Sequence, residues 1–324
     1  MTNALVMFSW WLDSLLAIKI LEQQWIDCTA LCFTTPFFGK EKAEKQAKKF
    51  GIKLITRDIS NVHFDMLKNP QYGYGKNMNP CIDCHGFMFY TAWKIADELW
   101  FDLIASWEVL WQRPMSQNKQ ALWIVNKLAK RDVLRPMSAK LLEETSYEKS
   151  WLVDRERLLD ISGRGRSRQL EMAEKYWLED FESPGWWCLL TVSGYSDKLR
   201  NLIELEPTKI LSIDAELIKY WRLDIYNQNN IKFFAITWRD QESNKKLIEI
   251  IENKNNQNNI NSNNIYYIVD LDWISWPTII LRIINNREIN LEIEKEIKKI
   301  FKSKMKKIAD MQDSELNLKI KTVI

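Results

Sequence analysis

The first half of the chain alternates short apolar runs with helical segments, and this alternation limits the folds available to it. The first run, at 4–9, is apolar up to its last residue, which is typical of a strand buried on both faces of a parallel sheet. Parallel strands need crossover connections, and the intervening helices would supply them. The pattern predicts strands at 4–9, 27–33, 52–57, 101–106 and 133–136, helices at 12–24, 40–50, 82–99 and 116–129, and a loop at 58–80.

The pattern changes in the second half of the chain. Residues 1–200 are predicted to form an α/β domain with a parallel sheet, and 205–324 a smaller α+β domain. Asparagines dominate 253–264, where too few apolar residues occur to pack, so a flexible loop is expected there. The further predicted elements are a basic helix at 155–177, interrupted near Gly163 and Gly165, strands at 231–237, 265–270 and 277–283, and helices at 241–252 and 291–309.

The overall composition is that of an ordinary globular protein. Hydrophobic residues make up 46% and charged residues 27%, and the net charge of +3 requires any nucleic-acid binding to come from local basic patches. No run of about 18 uncharged apolar residues occurs, and the first residues lack a secretion signal, so a cytoplasmic protein without a membrane partner is expected. Five cysteines, an odd number with one Cys-x-x-Cys, favour reactive or metal-binding thiols over disulfides.

Tryptophan is unusually frequent and glycine unusually rare. The chain has 16 Trp and 9 Gly, whereas a typical glycine share of about 7% would give roughly 23. Gly51 stands between a helix and a strand, and Trp25, Trp100 and Trp177 occupy the same place at three other junctions. The residue after a helix is commonly left-handed, a conformation that glycine tolerates and a bulky side chain resists.

Two interpretations of these tryptophans are open. In the first, they are ordinary core aromatics. In the second, the gene comes from an organism that reads the codon UGA as glycine, and the printed sequence results from translating UGA as tryptophan. The repetition at helix ends favours the second hypothesis, under which Trp93 and Trp123, inside predicted helices, are genuine. The positions that it assigns to glycine are Trp10, Trp11, Trp25, Trp100, Trp107, Trp111, Trp151, Trp177, Trp186, Trp187, Trp221, Trp238, Trp273 and Trp276.

The turn after the first strand has the sequence Ser-Trp-Trp-Leu-Asp-Ser at 9–14 and opens the first helix. With glycine at 10 and 11 it resembles the Ser-Gly-Gly-x-Asp-Ser loop of PP-loop ATP pyrophosphatases, a Rossmann-like family of adenine nucleotide alpha hydrolase fold. Glycines let backbone N–H groups approach pyrophosphate at a helix N-terminus. The resemblance implies that Ser9, Trp10, Trp11 and Ser14 surround the phosphates of ATP and that Asp13 places Mg²⁺. The alternative is an apolar turn with incidental serines.

The cysteines extend this resemblance. Cys81 and Cys84 belong to Asn-Pro-Cys-Ile-Asp-Cys-His, which precedes a predicted helix, and Cys188 lies far downstream. A thiol at a helix N-terminus is acidified and nucleophilic. In tRNA-thiolating PP-loop enzymes a similar segment carries a sulfur-transferring cysteine, with a distant second one. The resemblance implies that Cys81 and Cys188 are catalytic, with Cys84 close behind.

Other roles for these cysteines stay open. Cys81, Cys84 and Cys188 could hold a 4Fe–4S cluster, or a structural zinc with His85 as fourth ligand, or be inert buried thiols. Cys28 and Cys32 lie in a predicted strand and are expected to be core residues, and His63 is expected to be incidental.

Further segments match the same family. Ala-Ser-Trp-Glu-Val-Leu-Trp-Gln-Arg-Pro at 105–114 resembles, with glycine for tryptophan, a motif after the fourth strand of PP-loop RNA-modifying enzymes. Glu108 and Arg113 are therefore candidate site residues, and the alternative is a solvated loop. Arg135 and Lys140 could neutralise pyrophosphate. Arg164, Arg166 and Arg168 form a basic cluster that suits an RNA backbone or is merely solvated.

The second domain has a fainter resemblance, to NFACT-type RNA-binding domains, carried by 235–244 and 274–278 with glycine at 238 and 276. Asp240 departs from the asparagine usual there.

Together these resemblances imply an ATP-dependent tRNA sulfurtransferase that adenylates a uridine carbonyl oxygen and then transfers sulfur, releasing AMP. Its partners would be tRNA and a sulfur donor such as a cysteine desulfurase. One alternative is a non-catalytic RNA-binding protein with a degenerate pocket, which is favoured if Trp10 and Trp11 are genuine tryptophans. The other is an amide-forming PP-loop ligase related to NAD or GMP synthases.

Overall fold

The computed structural model describes residues 2–181, 188–219, 222–237, 249–251, 265–272, 274–285 and 288–323. By its internal contacts the chain divides into two compact units, Met1–Val192 and Ser193–Ile324. The Asn-rich stretch at 253–264 and most of the predicted helix at 241–252 lie outside the described residues, as do Trp186, Trp187, Trp221, Trp238 and Trp273.

The first unit contains a four-stranded parallel sheet in the order β3-β2-β1-β4, which confirms the predicted α/β fold. In its central strand β1, Ala4, Leu5 and Val6 have no exposed surface. Their side chains are apolar, as expected for a strand covered on both faces. The strands are β1 (Asn3–Met7), β2 (Asp27–Thr34), β3 (Lys53–Asp58) and β4 (Leu103–Ala105). The helices are α1 (Leu12–Glu22), α2 (Glu41–Phe50), α3 (Ser60–Lys68), α4 (Cys81–Glu98), α5 (Lys119–Ala129), α6 (Ser146–Lys149) and α7 (Ser167–Lys175).

Three predicted elements of this unit differ from the structure. The segment 58–80, predicted as a loop, contains α3. The predicted strand at 133–136 is reduced to one bridge between Ala105 and Leu134, since Pro136 has no N–H to extend the ladder. The basic helix predicted at 155–177 is α-helical only in α7, with a short 3₁₀ turn at Arg155–Arg157, because Gly163 adopts a left-handed φ of 86° that interrupts a helix.

The strand order brings two loops together. β2 and β3 lie on one side of β1, and β4 lies on the other, so the chain direction across the sheet reverses between β1 and β4. Open α/β sheets bind ligands beyond the carboxyl ends of their strands at such a point. The segments that leave these ends are 8–11 after β1 and 106–114 after β4.

Several helix ends and turns carry tryptophan in a left-handed conformation. Among the tryptophans that the structure describes, six have positive φ, between 53° and 62°, in the region where Gly51 lies at 65°. Four of them expose 79–87% of their surface, so they are not the core aromatics of the first interpretation. Trp93 and Trp123 lie inside α4 and α5, as predicted. The six are Trp10, Trp25, Trp100, Trp111, Trp151 and Trp177.

The second unit contains a five-stranded antiparallel sheet in the order β5-β6-β8-β7-β9 and confirms the predicted α+β class. Helix α10 packs its buried Ile293, Ile297 and Phe301, spaced four residues apart, in the same core as strand residues such as Phe233 and Leu281. The elements are α8 (Ser193–Leu205), α9 (Ser212–Leu217), β5 (Arg222–Gln228), β6 (Ile231–Thr237), β7 (Tyr266–Leu271), β8 (Ile274–Ile283), α10 (Leu291–Lys304) and β9 (Leu318–Val323). None of the described helices is long and apolar enough to cross a membrane.

Candidate active site

A cavity of about 820 Å³ lies at the carboxyl ends of β1 and β4. The loop after β1 contributes Ser9 and Trp11 to its wall, the first turn of α1 contributes Asp13, and α4 contributes Cys81. The segment 9–14, here called the phosphate loop, therefore shares one cavity with the candidate sulfur carrier Cys81, which lies about seventy residues away in the sequence. The cationic residues of the lining are Lys76, Arg113, Arg164 and Arg166.

The phosphate loop is built by the first turn of α1. Trp10 is 6% exposed and has a φ of 55°, and Trp11 is the N-cap residue. The hydroxyl of the buried Ser14 donates a hydrogen bond of 2.8 Å to the backbone oxygen of Trp11. Ser9 thus reaches the cavity, whereas Ser14 is bonded to its own loop. The predicted phosphate contact of Ser14 stays a prediction.

Asp13 is a buried carboxylate at the edge of the cavity. Its Oδ2 accepts a hydrogen bond of 2.9 Å from Nε2 of Gln112, which joins the first turn of α1 to the segment after β4. Oδ1 is buried without a hydrogen-bond partner among the described residues. Burial raises the pKa of Asp13, and the Gln112 hydrogen bond and the charge of Arg166 oppose that shift. A partly unsatisfied carboxylate suits a hard cation, so these atoms fit the Mg²⁺ that the resemblance implies.

The predicted basic cluster divides into two parts. Arg164 and Arg166 line the cavity, whereas Arg168 lies elsewhere and pairs with Asp160 at 2.7 Å. Within the described part of the chain, Nε and Nη2 of Arg166 are buried and make no hydrogen bond, and Nη2 lies 3.9 Å from Oδ1 of Asp13. Buried donors without acceptors are costly, which favours an oxyanion as their partner.

The three candidate cysteines lie near enough for a charge on one to affect the others, but of the three only Cys81 lines the cavity. Nδ2 of Asn79 donates a hydrogen bond of 3.3 Å to its sulfur. Burial raises the pKa of Cys188 to about 12, and that of Cys84 well above its usual value, and a charge on Cys81 would raise both further. Desolvation therefore keeps Cys84 and Cys188 as neutral thiols at neutral pH, contrary to the acidified thiols expected from the sequence.

His63, expected to be incidental, is bonded to one of these thiols. Its Nε2 lies 3.1 Å from the sulfur of Cys84. The imidazole has no exposed surface, packs against Phe37 and Phe38, and has its pKa lowered to about 4 by burial. It is therefore neutral near pH 7. Sequence reasoning missed this pair because the segment that carries His63 was predicted as a loop rather than as α3.

The arrangement of the thiols gives no support to the metal alternatives. Across the described ranges, no group of three or more histidine, cysteine, aspartate and glutamate side chains is arranged to hold a metal ion. The 4Fe–4S cluster and the zinc site stay predictions. Cys28 and Cys32 are buried in β2, which confirms that they are core residues.

Glu108 and Arg135 lie behind the cavity rather than in its wall. Arg135 donates through Nε at 2.9 Å to Oε2 of Glu108, and Oε1 lies 2.7 Å from Nδ1 of His85. Burial alone would raise the pKa of Glu108, but the charge of Arg135 and the His85 hydrogen bond lower it to about 2. Arg135 lines a separate cavity of about 190 Å³. Contact of either residue with the nucleotide stays a prediction, and the geometry favours a structural role.

The NFACT-like segments are only partly described. Residues 238–244 lie outside the described residues, and 274–278 fall within β8. RNA binding by the second unit stays a prediction.

No family model matches the chain, and no curated protein matches it. Among solved structures, a predicted subunit of a tRNA methyltransferase from Methanocaldococcus jannaschii is 15% identical, with a TM-score of 0.35 over 54% of this chain and 76% of that one. A 4-thiouridine synthetase in complex with RNA and ATP is 18% identical, with a TM-score of 0.41, over 67% of this chain and 54% of its own length. The NMN synthetase of Francisella tularensis is 9% identical, with a TM-score of 0.27 over 56% of this chain and 88% of that one. At these TM-scores the likeness is limited, so the function of the chain rests on its own residues.

Proposed function

We propose that the chain is an ATP-dependent tRNA sulfurtransferase that thiolates a uridine. The observation that supports this most is the single cavity lined by Ser9 and Asp13 of the phosphate loop and by Cys81. A reaction that activates an oxygen with ATP and then replaces it with sulfur needs both groups in one place.

The first step would activate the base. The uridine carbonyl oxygen attacks the α-phosphorus of ATP, and the bond to pyrophosphate breaks. Arg166, with its unsatisfied donors, would hold phosphate oxygens, and Oδ1 of Asp13 would hold Mg²⁺. That ion supplies positive charge against the leaving pyrophosphate. The carbonyl oxygen, otherwise a poor leaving group, can now depart as part of AMP.

The second step would transfer sulfur. A cysteine desulfurase supplies a persulfide on Cys81, whose terminal sulfur attacks the activated carbon and displaces AMP. Cys188 then attacks the Cys81 sulfur, which breaks the S–S bond to the base and leaves thiouridine and a Cys81–Cys188 disulfide. An external dithiol reduces this disulfide. Because burial keeps Cys188 protonated, it must lose its proton as it attacks.

The test uses unmodified bulk tRNA, ATP and a persulfide donor, with pyrophosphate release and thiouridine by mass spectrometry as separate readouts. The full-length chain is compared with a version carrying glycine at 10 and 11. The Cys81→Ser variant of that version should release pyrophosphate without forming thiouridine. Absence of thiouridine from the glycine version itself would overturn the proposal.

One observation favours a second function, non-catalytic RNA binding. Trp11 lines the cavity and Trp10 lies buried next to it, so two genuine indoles would occupy the space that phosphates need. Measuring the affinity of the chain with tryptophan at 10 and 11 for tRNA and for ATP separates the two functions, since a degenerate pocket predicts tRNA binding without ATP binding.

A further inference from the structure

The segment 71–76, here called the tyrosine loop, carries two aromatic rings at the cavity. Tyr72 and Tyr74 line it and are 38% and 44% exposed. Part-exposed aromatic rings in the wall of a cavity mark a surface that a ligand can cover.

The tyrosine loop is held in place before any ligand arrives. The carboxylate of Asp83, 6% exposed, accepts hydrogen bonds from the backbone N–H groups of Gln71 at 2.9 Å and Tyr72 at 3.0 Å. The hydroxyl of Tyr74 donates to the backbone oxygen of Leu67 at 2.7 Å. Binding to a preorganised surface loses less conformational entropy, so these rings are suited to recognition.

Hydrogen bonds connect the tyrosine loop to the reactive sulfur. The backbone N–H of Gly75 donates to the backbone oxygen of Asn79 at 2.9 Å. The side chain of Asn79 in turn donates to the sulfur of Cys81. A group resting on the loop is therefore placed beside Cys81.

Charge identifies the class of ligand. Lys76 belongs to the tyrosine loop, and Arg113 and Arg164 line the same cavity. Cations along a groove, interleaved with aromatic rings, bind the backbone and the bases of single-stranded nucleic acid.

We propose that the tyrosine loop stacks a base of a single-stranded RNA segment and presents it to Cys81, with Asp83 as the residue that positions the loop. This inference rests on the proposed function for the reaction that follows, but the binding itself can be measured without ATP or sulfur.

The test measures the affinity of the full-length chain for fluorescently labelled unmodified tRNA and for a short uridine-rich RNA, with ATP affinity measured in parallel. Tyr72→Leu and Tyr74→Leu keep an apolar side chain without a π-face, and each should raise the RNA Kd about tenfold, the effect typical of losing one stacked base. Tyr72→Phe and Tyr74→Phe keep the ring and should stay within about twofold of the parent. Asp83→Asn should weaken RNA binding while leaving ATP binding unchanged.

Tyr176→Leu is the matched control, because Tyr176 is a part-exposed tyrosine outside the cavity wall. Thermal melting checks that each variant folds. RNA affinity unchanged in both leucine variants, or equally reduced in the leucine and phenylalanine variants, would overturn the proposal. The proposal would also be overturned if the parent chain bound no RNA. It would be overturned too if the leucine variants lost affinity for ATP instead of RNA, because that result would place adenine on the loop. Missing thiouridine alongside the expected binding pattern would count against the proposed function alone.

Discussion

Trp25 and Gly51 follow their helices with the same backbone geometry, at φ values of 62° and 65°. Glycine adopts this conformation freely, whereas a residue with a Cβ crowds the neighbouring carbonyl oxygen. Trp25 is 79% exposed, so little burial of its indole offsets that strain. The same combination recurs at Trp100, Trp151 and Trp177, which supports the hypothesis that these positions are glycine in the native protein.

Replacing Trp25, Trp100 or Trp151 by glycine should stabilise the fold. Glycine relieves the left-handed strain but increases the conformational entropy of the unfolded chain. The net gain in the free energy of unfolding should be about 1 kcal/mol at each site. Urea unfolding measures the effect. Trp93→Gly is the control, since Trp93 is 7% exposed inside α4 and its loss should cost about 3–5 kcal/mol. The glycine hypothesis would be excluded if the replacements at Trp25, Trp100 and Trp151 destabilised the fold as the control does, or if the gene carried UGG codons at these positions.

Arg166 and Arg168 should differ in their importance for binding pyrophosphate. Arg166 has buried donors without acceptors in the cavity, whereas Arg168 pairs with Asp160 outside it. Arg166→Ala should weaken pyrophosphate binding roughly tenfold or more, as expected for a charge-assisted hydrogen bond. Arg168→Ala should leave it unchanged, and isothermal calorimetry on the version with glycine at 10 and 11 compares them. Equal effects would mean that both arginines act only through long-range charge.

Gly75→Ala should slow the alkylation of Cys81. A Cβ at Gly75 would lie 2.5 Å from Nδ2 of Asn79, which must then move away from the Cys81 sulfur. The sulfur then loses the hydrogen bond that holds it in place, so the rate with iodoacetamide should fall severalfold. Peptide mass spectrometry at position 81 measures it.

Two further variants make the alkylation result specific. Asn79→Ala should act in the same direction, because it removes the donor itself. Gly194→Ala should have no effect, since an added Cβ there meets nothing within 4 Å. A faster reaction in Gly75→Ala would show that Asn79 shields the sulfur instead of activating it.

Glu108 should contribute to stability in a pH-dependent way. Its pKa falls from 4.5 to about 2 on folding, so its contribution is present above pH 4.5 and is lost as the pH falls towards 2. Glu108→Gln should lower stability at pH 7 by about 3–5 kcal/mol, because Arg135 then stays buried without its counter-charge. Urea unfolding at pH 7, 5 and 3 should show a smaller acid loss in the variant. An unchanged profile would show that the ion pair contributes no pH dependence.

Local patterns predicted much of the first unit, since apolar runs and helix ends are properties of neighbouring residues. β1, α1 and the loop between them follow from 4–14, and the position of Cys81 at the start of α4 follows from its motif. By contrast, nothing in the spacing distinguished Arg166, at the cavity, from Arg168, outside it. Arg166 is the N-cap residue of α7 and Arg168 lies in its first turn. Only tertiary packing decides which of the two side chains lies near Asp13.

The sequence by itself determined the α/β class, the phosphate-loop motif and the helix ends where Trp25, Trp100 and Trp177 stand in a left-handed conformation, because each depends on residues close together along the chain. Tertiary structure alone decided that Ser9, Asp13 and Cys81 share a cavity. It also decided that Gln112 binds Asp13, that His63 binds Cys84, and that Glu108 forms a buried ion pair with Arg135. These contacts join residues from different strands and helices, and sheet order and desolvation set them rather than local preference.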